Sequence, residues 1–249
     1  MAFLEMHFQS KALGQGVSVN ILLPDKVEGE KFKTLWLLHG RSDDHTSWMR
    51  NTSVERYAKE YGLAVVMPCA DRSWYTDTAY GANYFTYITE ELPERMAFWF
   101  RGYSAAREDN LIAGLSMGGY GALKASLTYP EKYCFCGALS GALDITRKNR
   151  PYNLEEWRSI FGFDLESADR LEGTKHDLFT LAAKGKELPY IYMWCGTEDS
   201  LIAINDRFSA YLSELGIAHT YESSEGRHVW KYWDIHLQDA LACWQGLNK

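Results

Sequence analysis

Ser116 stands in the run Gly114-Leu115-Ser116-Met117-Gly118, a G-x-S-x-G pattern. The pattern carries information only in context. Here a strand-like apolar stretch, 110–115, runs into it and a helical stretch, 117–129, runs out. A serine at such a junction sits on a sharp, strained turn, because side chains at the flanking glycine positions would collide with the backbone. Its hydroxyl then projects beside a helix N-terminus, where free N–H groups favour developing negative charge. The chemistry that fits is attack on a carbonyl carbon with a covalent acyl intermediate. The plain alternative, a Gly/Ser turn that only joins strand to helix, is the weaker reading of this context.

A serine nucleophile needs a base, and the base needs a carboxylate to hold its tautomer. On strand–turn–helix elbows the partners follow in the order Ser, Asp/Glu, His. His176, His219, His228 and His236 follow Ser116. His219 is expected at a strand start, His236 inside the last helix and His176 in an irregular segment. His228 follows Glu225-Gly226-Arg227 in the loop between the last strand and the last helix, from which a base can reach the serine across the sheet. It is the predicted base. The acid belongs after the preceding strand, in Gly196-Thr197-Glu198-Asp199. Asp199 is preferred, with Glu198 as the local alternative, Asp144 as a distant rival, and a helix N-cap as the plain reading of Asp199 itself. His39-Gly40-Arg41 ends another strand, and the backbone amides of Arg41 and Met117 are the predicted oxyanion donors. His39 reads as a packed, hydrogen-bonded loop residue. No His/Asp/Glu cluster has metal-ligand spacing, so no metal is expected.

These groups need a sheet to position them. Apolar runs at 17–23, 34–39, 63–68, 110–115, 133–140, 190–195 and 218–222, and an alternating pattern over residues 1–10, read as strands. Helical spacing falls between them at 47–61, 85–100 (with Pro93 at a kink or break), 117–129, 201–215 and 230–244. Strands alternating with helices imply an α/β fold, a mostly parallel sheet with helices on both faces. There are no repeats and no linker-like stretch, so one domain over 1–249 is expected. Segments 69–84 and 141–187 break the alternation and read as loops around a substrate cleft, the second as a partial cap. Trp74, Tyr75, Tyr80 and Tyr84 in the first, and Trp230 beside His228, read equally as pocket lining and as aromatic packing.

The chain has 249 residues, 46% hydrophobic and 24% charged, with a formal net charge of −7. The acidic balance, with no basic run beyond Arg147, Lys148 and Arg150, argues against nucleic acid or anionic membrane as partner. No stretch approaches the ~18 apolar residues of a transmembrane helix, and the alternating N-terminus lacks the apolar block of a signal peptide. Five cysteines without regular spacing make a poor disulfide framework; the expectation is a cytoplasmic protein with a small-molecule partner. The aromatic content suggests, on composition alone, a homo-oligomer.

Taken together, Leu37-Leu38-His39-Gly40 with Trp48, Trp74-Tyr75-Thr76-Asp77, Ala113 through Gly121, and Gly226-Arg227-His228-Val229-Trp230 with Trp233 resemble the esterase D group of α/β-hydrolases, most closely its bacterial tributyrin-esterase type. The matches run from the second strand to the last helix. The resemblance implies cofactor-free hydrolysis of short-chain acyl esters, with Ser116, Asp199 and His228 as triad and the Arg41 and Met117 amides as oxyanion hole. The group also holds S-formylglutathione hydrolases, feruloyl and acetyl-xylan esterases, and mycolyltransferases, so a thioesterase is the alternative. Arg41 departs from the smaller or apolar residue common there, which bears on substrate choice.

Overall fold

Leu35 and Leu37 alternate with Trp36 and Leu38 along one strand, and the two sets enter different hydrophobic cores. This period of two, with every position buried, is what a strand covered on both faces requires. The computed structural model describes residues 1–25, 31–146, 154–162 and 164–247. The basic run at Arg147, Lys148 and Arg150 lies outside them.

The strands are β1 (Ala2–Ser10), β2 (Gln15–Leu23), β3 (Lys33–Leu38), β4 (Leu63–Pro68), β5 (Asn110–Leu115), β6 (Phe135–Leu139), β7 (Tyr190–Gly196) and β8 (His219–Ser224). They form one sheet in the order β1-β2-β4-β3-β5-β6-β7-β8. β1 and β2 are antiparallel to their neighbours, and the remaining strands pair in parallel. The helices are α1 (Ser47–Asn51), α2 (Val54–Tyr61), α3 (Tyr84–Thr86), α4 (Leu92–Trp99), α5 (Met117–Thr128), α6 (Leu154–Phe161), α7 (Leu178–Lys184), α8 (Ile202–Glu214) and α9 (Trp230–Gly246). One sheet face packs against α5, α7 and α8 through Tyr120, Leu123, Leu178 and Phe208. The other packs against α1, α2 and α9 through Trp48, Tyr57, Leu237 and Leu241. The chain thus has the α/β-hydrolase architecture.

Two expected helices differ in detail. The stretch 47–61 is broken because Thr52 is extended, its hydroxyl donating to Trp48 O at 2.5 Å, while Asp234 of α9 accepts from the Ser53 amide at 2.9 Å. Side-chain bonds to the backbone compete with the helix there. The stretch 85–100 runs through a π turn, Tyr87–Glu91, immediately before α4. Pro93 has no N–H for the Thr89 carbonyl four residues back, and Lys132 Nζ donates to that carbonyl instead, at 2.9 Å. Among the described residues no helix is long and apolar enough to cross a membrane, and Cys136 and Cys195 are buried free thiols while Cys134 is half-buried.

Candidate active site

The elbow between β5 and α5 holds Ser116 at φ 53°, ψ −115°. A non-glycine residue pays for that backbone only if its surroundings fix it. Here the Ser116 amide donates to Leu139 O of β6 at 2.9 Å, and Ser116 O accepts from the Ala142 amide at 3.0 Å. The flanking glycines are sterically required. A Cβ on Gly114 would lie 2.4 Å from Gly118 O, and one on Gly118 would lie 2.4 Å from Leu38 O.

The loops after β7 and β8 are laced together. The Thr197 amide donates to Ser224 O at 2.8 Å and the Glu198 amide to Gly226 O at 2.9 Å. This brings Asp199 against His228. The His228 Nδ1–H donates to Asp199 Oδ2 at 2.8 Å, and the Ser116 hydroxyl donates to His228 Nε2 at 3.0 Å, the tautomer following from the two partners. The Asp199 side chain is fully buried, whereas that of His228 is 36% exposed. Burial pushes the Asp199 carboxyl up, but hydrogen bonds from His228 and the Leu201 amide outweigh it and hold the group below the ordinary carboxylate range. Asp199 Oδ1 accepts from that amide at 2.9 Å, so the residue also shapes the start of α8, as its plain reading had it. Trp233 of α9 packs against the His228 ring at 4.9 Å and 86°. Sequence reasoning placed Trp233 in the last helix and in the motif shared with His228, without a contact between the two rings; its spacing five residues after His228 was the available signal.

The rival residues are engaged elsewhere. Glu198 pairs with Arg227 at 2.7 Å, and Asp144 pairs with Arg207 and accepts from Thr146. His219 bonds Ser209 and Ile217, His236 bonds Asp239, and His176 lies 3.3 Å from the Lys124 ammonium.

Gly40 to Asp43 form a closed turn, with the Asp43 amide donating to Gly40 O at 3.2 Å and the Gly40 amide to Asp43 Oδ2 at 3.1 Å. Arg41 is the second residue of that turn. Neither its amide nor that of Met117 donates to another group among the described residues. His39 fixes the turn from beneath. Its Nδ1–H donates to Gly40 O at 2.7 Å, and its Nε2 accepts from the Ala70 amide at 2.9 Å. Burial pushes its pKa down, so it is a neutral structural pin.

The aromatic residues divide. Trp74 and Tyr75 are 2% and 1% exposed, so they offer a substrate no surface; of their two readings, pocket lining is corrected and aromatic packing holds. Trp74 packs edge-on against Tyr120 at 5.7 Å and Trp157 at 4.9 Å, and the Tyr75 hydroxyl donates to His39 O at 2.9 Å. Both have positive φ, and buried Lys124 of α5 braces the turn, its Nζ donating to Tyr75 O at 3.1 Å and Thr76 Oγ1 at 2.7 Å while the Thr76 hydroxyl donates to Trp74 O at 2.9 Å. Tyr84 is buried and bonds Asp71. Trp230 is half-buried, edge-on to Trp48 at 5.1 Å and Trp233 at 5.4 Å. Tyr80, 59% exposed, lines a groove of about 690 Å³ with Arg41, Asp43, Asp71, Arg72, Glu155 and Glu156. Among the described residues no group of three His, Cys, Asp or Glu could hold a metal ion.

This arrangement is a hydrogen-bonded line from a buried carboxylate through an imidazole to a strained serine, with two free amides nearby. The comparisons agree in kind. A model of the Esterase family, described as "Putative esterase", matches residues 10–243. An acetyl esterase of Caldicellulosiruptor saccharolyticus is 33% identical, the match covering 97% of this chain and 97% of that protein. The solved structure of fluorophosphonate-binding serine hydrolase F of Staphylococcus aureus superposes with TM-score 0.90 at 34% identity, covering 98% of each chain. That of an S-formylglutathione hydrolase of S. aureus gives 0.87 at 34% identity, again over 98% of each.

Proposed function

This chain belongs to the esterase family and is a serine-type carboxylic ester hydrolase, and we propose that it cleaves short-chain acyl esters, acetyl and butyryl, through an acyl-enzyme on Ser116. The observation that carries the residue assignment is the unbroken bonding of Ser116 Oγ to His228 Nε2 and of His228 Nδ1 to Asp199. Ser116 attacks the carbonyl carbon as its proton passes to His228 Nε2. The carbonyl oxygen becomes an oxyanion held by the Arg41 and Met117 amides, and buried, ionised Asp199 stabilises the imidazolium. His228 then protonates the leaving alcohol. Water, deprotonated by the same nitrogen, releases the acid and restores the serine. The helix segments of 141–187 are read as a partial cap beside the groove, and the free thiols favour a cytoplasmic setting.

The second reading is a thioesterase acting on S-formylglutathione, the activity named for one of the structural relatives. The same chemistry serves both bonds. If the groove beside Arg41 is the approach to Ser116, its charge supports the ester reading. Its lining includes four carboxylates against two guanidiniums, and both guanidiniums are engaged by Glu156. Glutathione would bring two more carboxylates to that surface, a like-charge approach. The test is hydrolysis of p-nitrophenyl acetate, butyrate and octanoate, with S-formylglutathione in parallel, by wild type and Ser116→Ala. We expect Ser116→Ala to lose on the order of 10⁴-fold or more in kcat, and acetate or butyrate to be preferred. An active Ser116→Ala would overturn the nucleophile; a dominant thioester rate would establish the second reading.

A further inference from the structure

Arg41 is a long, charged residue at the tip of the turn that presents the proposed oxyanion amide, and its side chain is not free. Its Nε and Nη2 donate to Glu156 Oε1 and Oε2 at 3.2 and 2.6 Å. Arg72, from the 69–84 loop, makes the same two-point contact with the same carboxylate at 3.2 and 2.7 Å. Glu156 sits on α6, one residue before Trp157, which is buried against Trp74. α6 is further docked by the Ala79 amide donating to Ile160 O at 3.1 Å. Its side chain is only 14% exposed, against 42% for Arg41 and 58% for Arg72. Burial alone would raise its pKa, but the two guanidiniums outweigh burial and keep it ionised.

We propose that Glu156 is a positioning residue for the oxyanion turn: by holding the Arg41 guanidinium, docked α6 fixes the angle at which the Arg41 amide faces the carbonyl oxygen. The inference rests on the reading of that amide as an oxyanion donor. The physical case is geometric. The turn's own bonds, Gly40 to Asp43 and His39 to Gly40, close it at its base, and among the described residues the side chain of Arg41 is what ties its tip to a packed element. A planar guanidinium held at two points fixes direction as well as distance. Oxyanion donors act only where they are already aligned. A short side chain at this position could not reach Glu156, so the length and charge of Arg41 are what give α6 a direct line to the turn.

Glu156→Gln is the test, because it keeps shape and removes charge, and its amide nitrogen would oppose one of the guanidiniums. Loss of an oxyanion donor costs about 10²–10³-fold in kcat; a turn loosened rather than lost should cost on the order of 10-fold. The expected result with p-nitrophenyl acetate is a kcat reduced by about that factor with KM within about twofold. Inhibition by phenylboronic acid, whose adduct on Ser116 is tetrahedral, should weaken by the same factor. Arg158→Ala, which removes the α6 contact to Leu165 O, should leave both unchanged. A Glu156→Gln enzyme with wild-type kcat, a loss confined to KM, or an equal loss in Arg158→Ala would each overturn the proposal. If Ser116→Ala is inert while Glu156→Gln is fully active, the positioning role fails and the nucleophile stands. An active Ser116→Ala would instead remove the premise.

Discussion

Gly118→Ala adds a single methyl group two residues after Ser116, the proposed nucleophile, and the structure sets its consequence. The new Cβ would lie 2.4 Å from Leu38 O and 2.7 Å from His39 O, both backbone atoms that cannot rotate away. Since carbon–oxygen contacts below about 3.0 Å are not tolerated, α5 must retreat from the end of β3 by at least ~0.6 Å. The retreat moves the Ser116 elbow and the Met117 amide away from the turn that carries Arg41, so the proposed nucleophile and oxyanion donors lose their mutual alignment. Misplacement approaching 1 Å costs about 10²-fold in rate, and overpacking costs about 1–3 kcal/mol in stability. We expect kcat for p-nitrophenyl acetate to fall by roughly 30- to 100-fold, with a lowered urea midpoint and a native circular dichroism spectrum. Steady-state kinetics and urea titration measure both. A variant with wild-type kcat and an unchanged midpoint would refute the steric argument, and with it the view that the G-x-S-x-G glycines are there for space.

Other expectations follow from particular contacts. Asp199→Asn keeps the geometry but offers His228 Nδ1 a donor or an oxygen that no longer selects the tautomer. kcat should drop by about 10⁴-fold, and a loss under tenfold would return the acid role to another carboxylate. Lys124 is wholly buried, and burial lowers its pKa from 10.5 to about 7. Folding therefore favours the neutral amine, so stability linked to this group is present above the ordinary pKa and is lost as pH falls toward 7. Between pH 7 and about 9.5, wild type should gain roughly 3 kcal/mol relative to Lys124→Met. Urea unfolding at the two pH values reads the difference directly, and parallel pH dependences would exclude the burial explanation.

The candidate site was legible in the sequence where local rules decide it. Gly114, Ser116 and Gly118 announce themselves because a strained strand-to-helix turn admits few residues, and apolar runs of period two betray strands covered on both faces. Chain order then singled out His228 and Asp199, since each falls in a loop after a strand of a parallel sheet and all such loops gather at one sheet edge. What remained closed to sequence were facts of long-range packing. Whether Trp74 and Tyr75 face a substrate or the core depends on Tyr120, Trp157 and the buried amine of Lys124, residues 45 or more positions away. The break at Thr52 was set in part by Asp234, some 180 residues on. The pairing of Arg41 with Glu156 spans 115 residues between segments of no regular pattern. Propensity and periodicity act over a few residues, whereas these choices were made by which surfaces the completed sheet brought together.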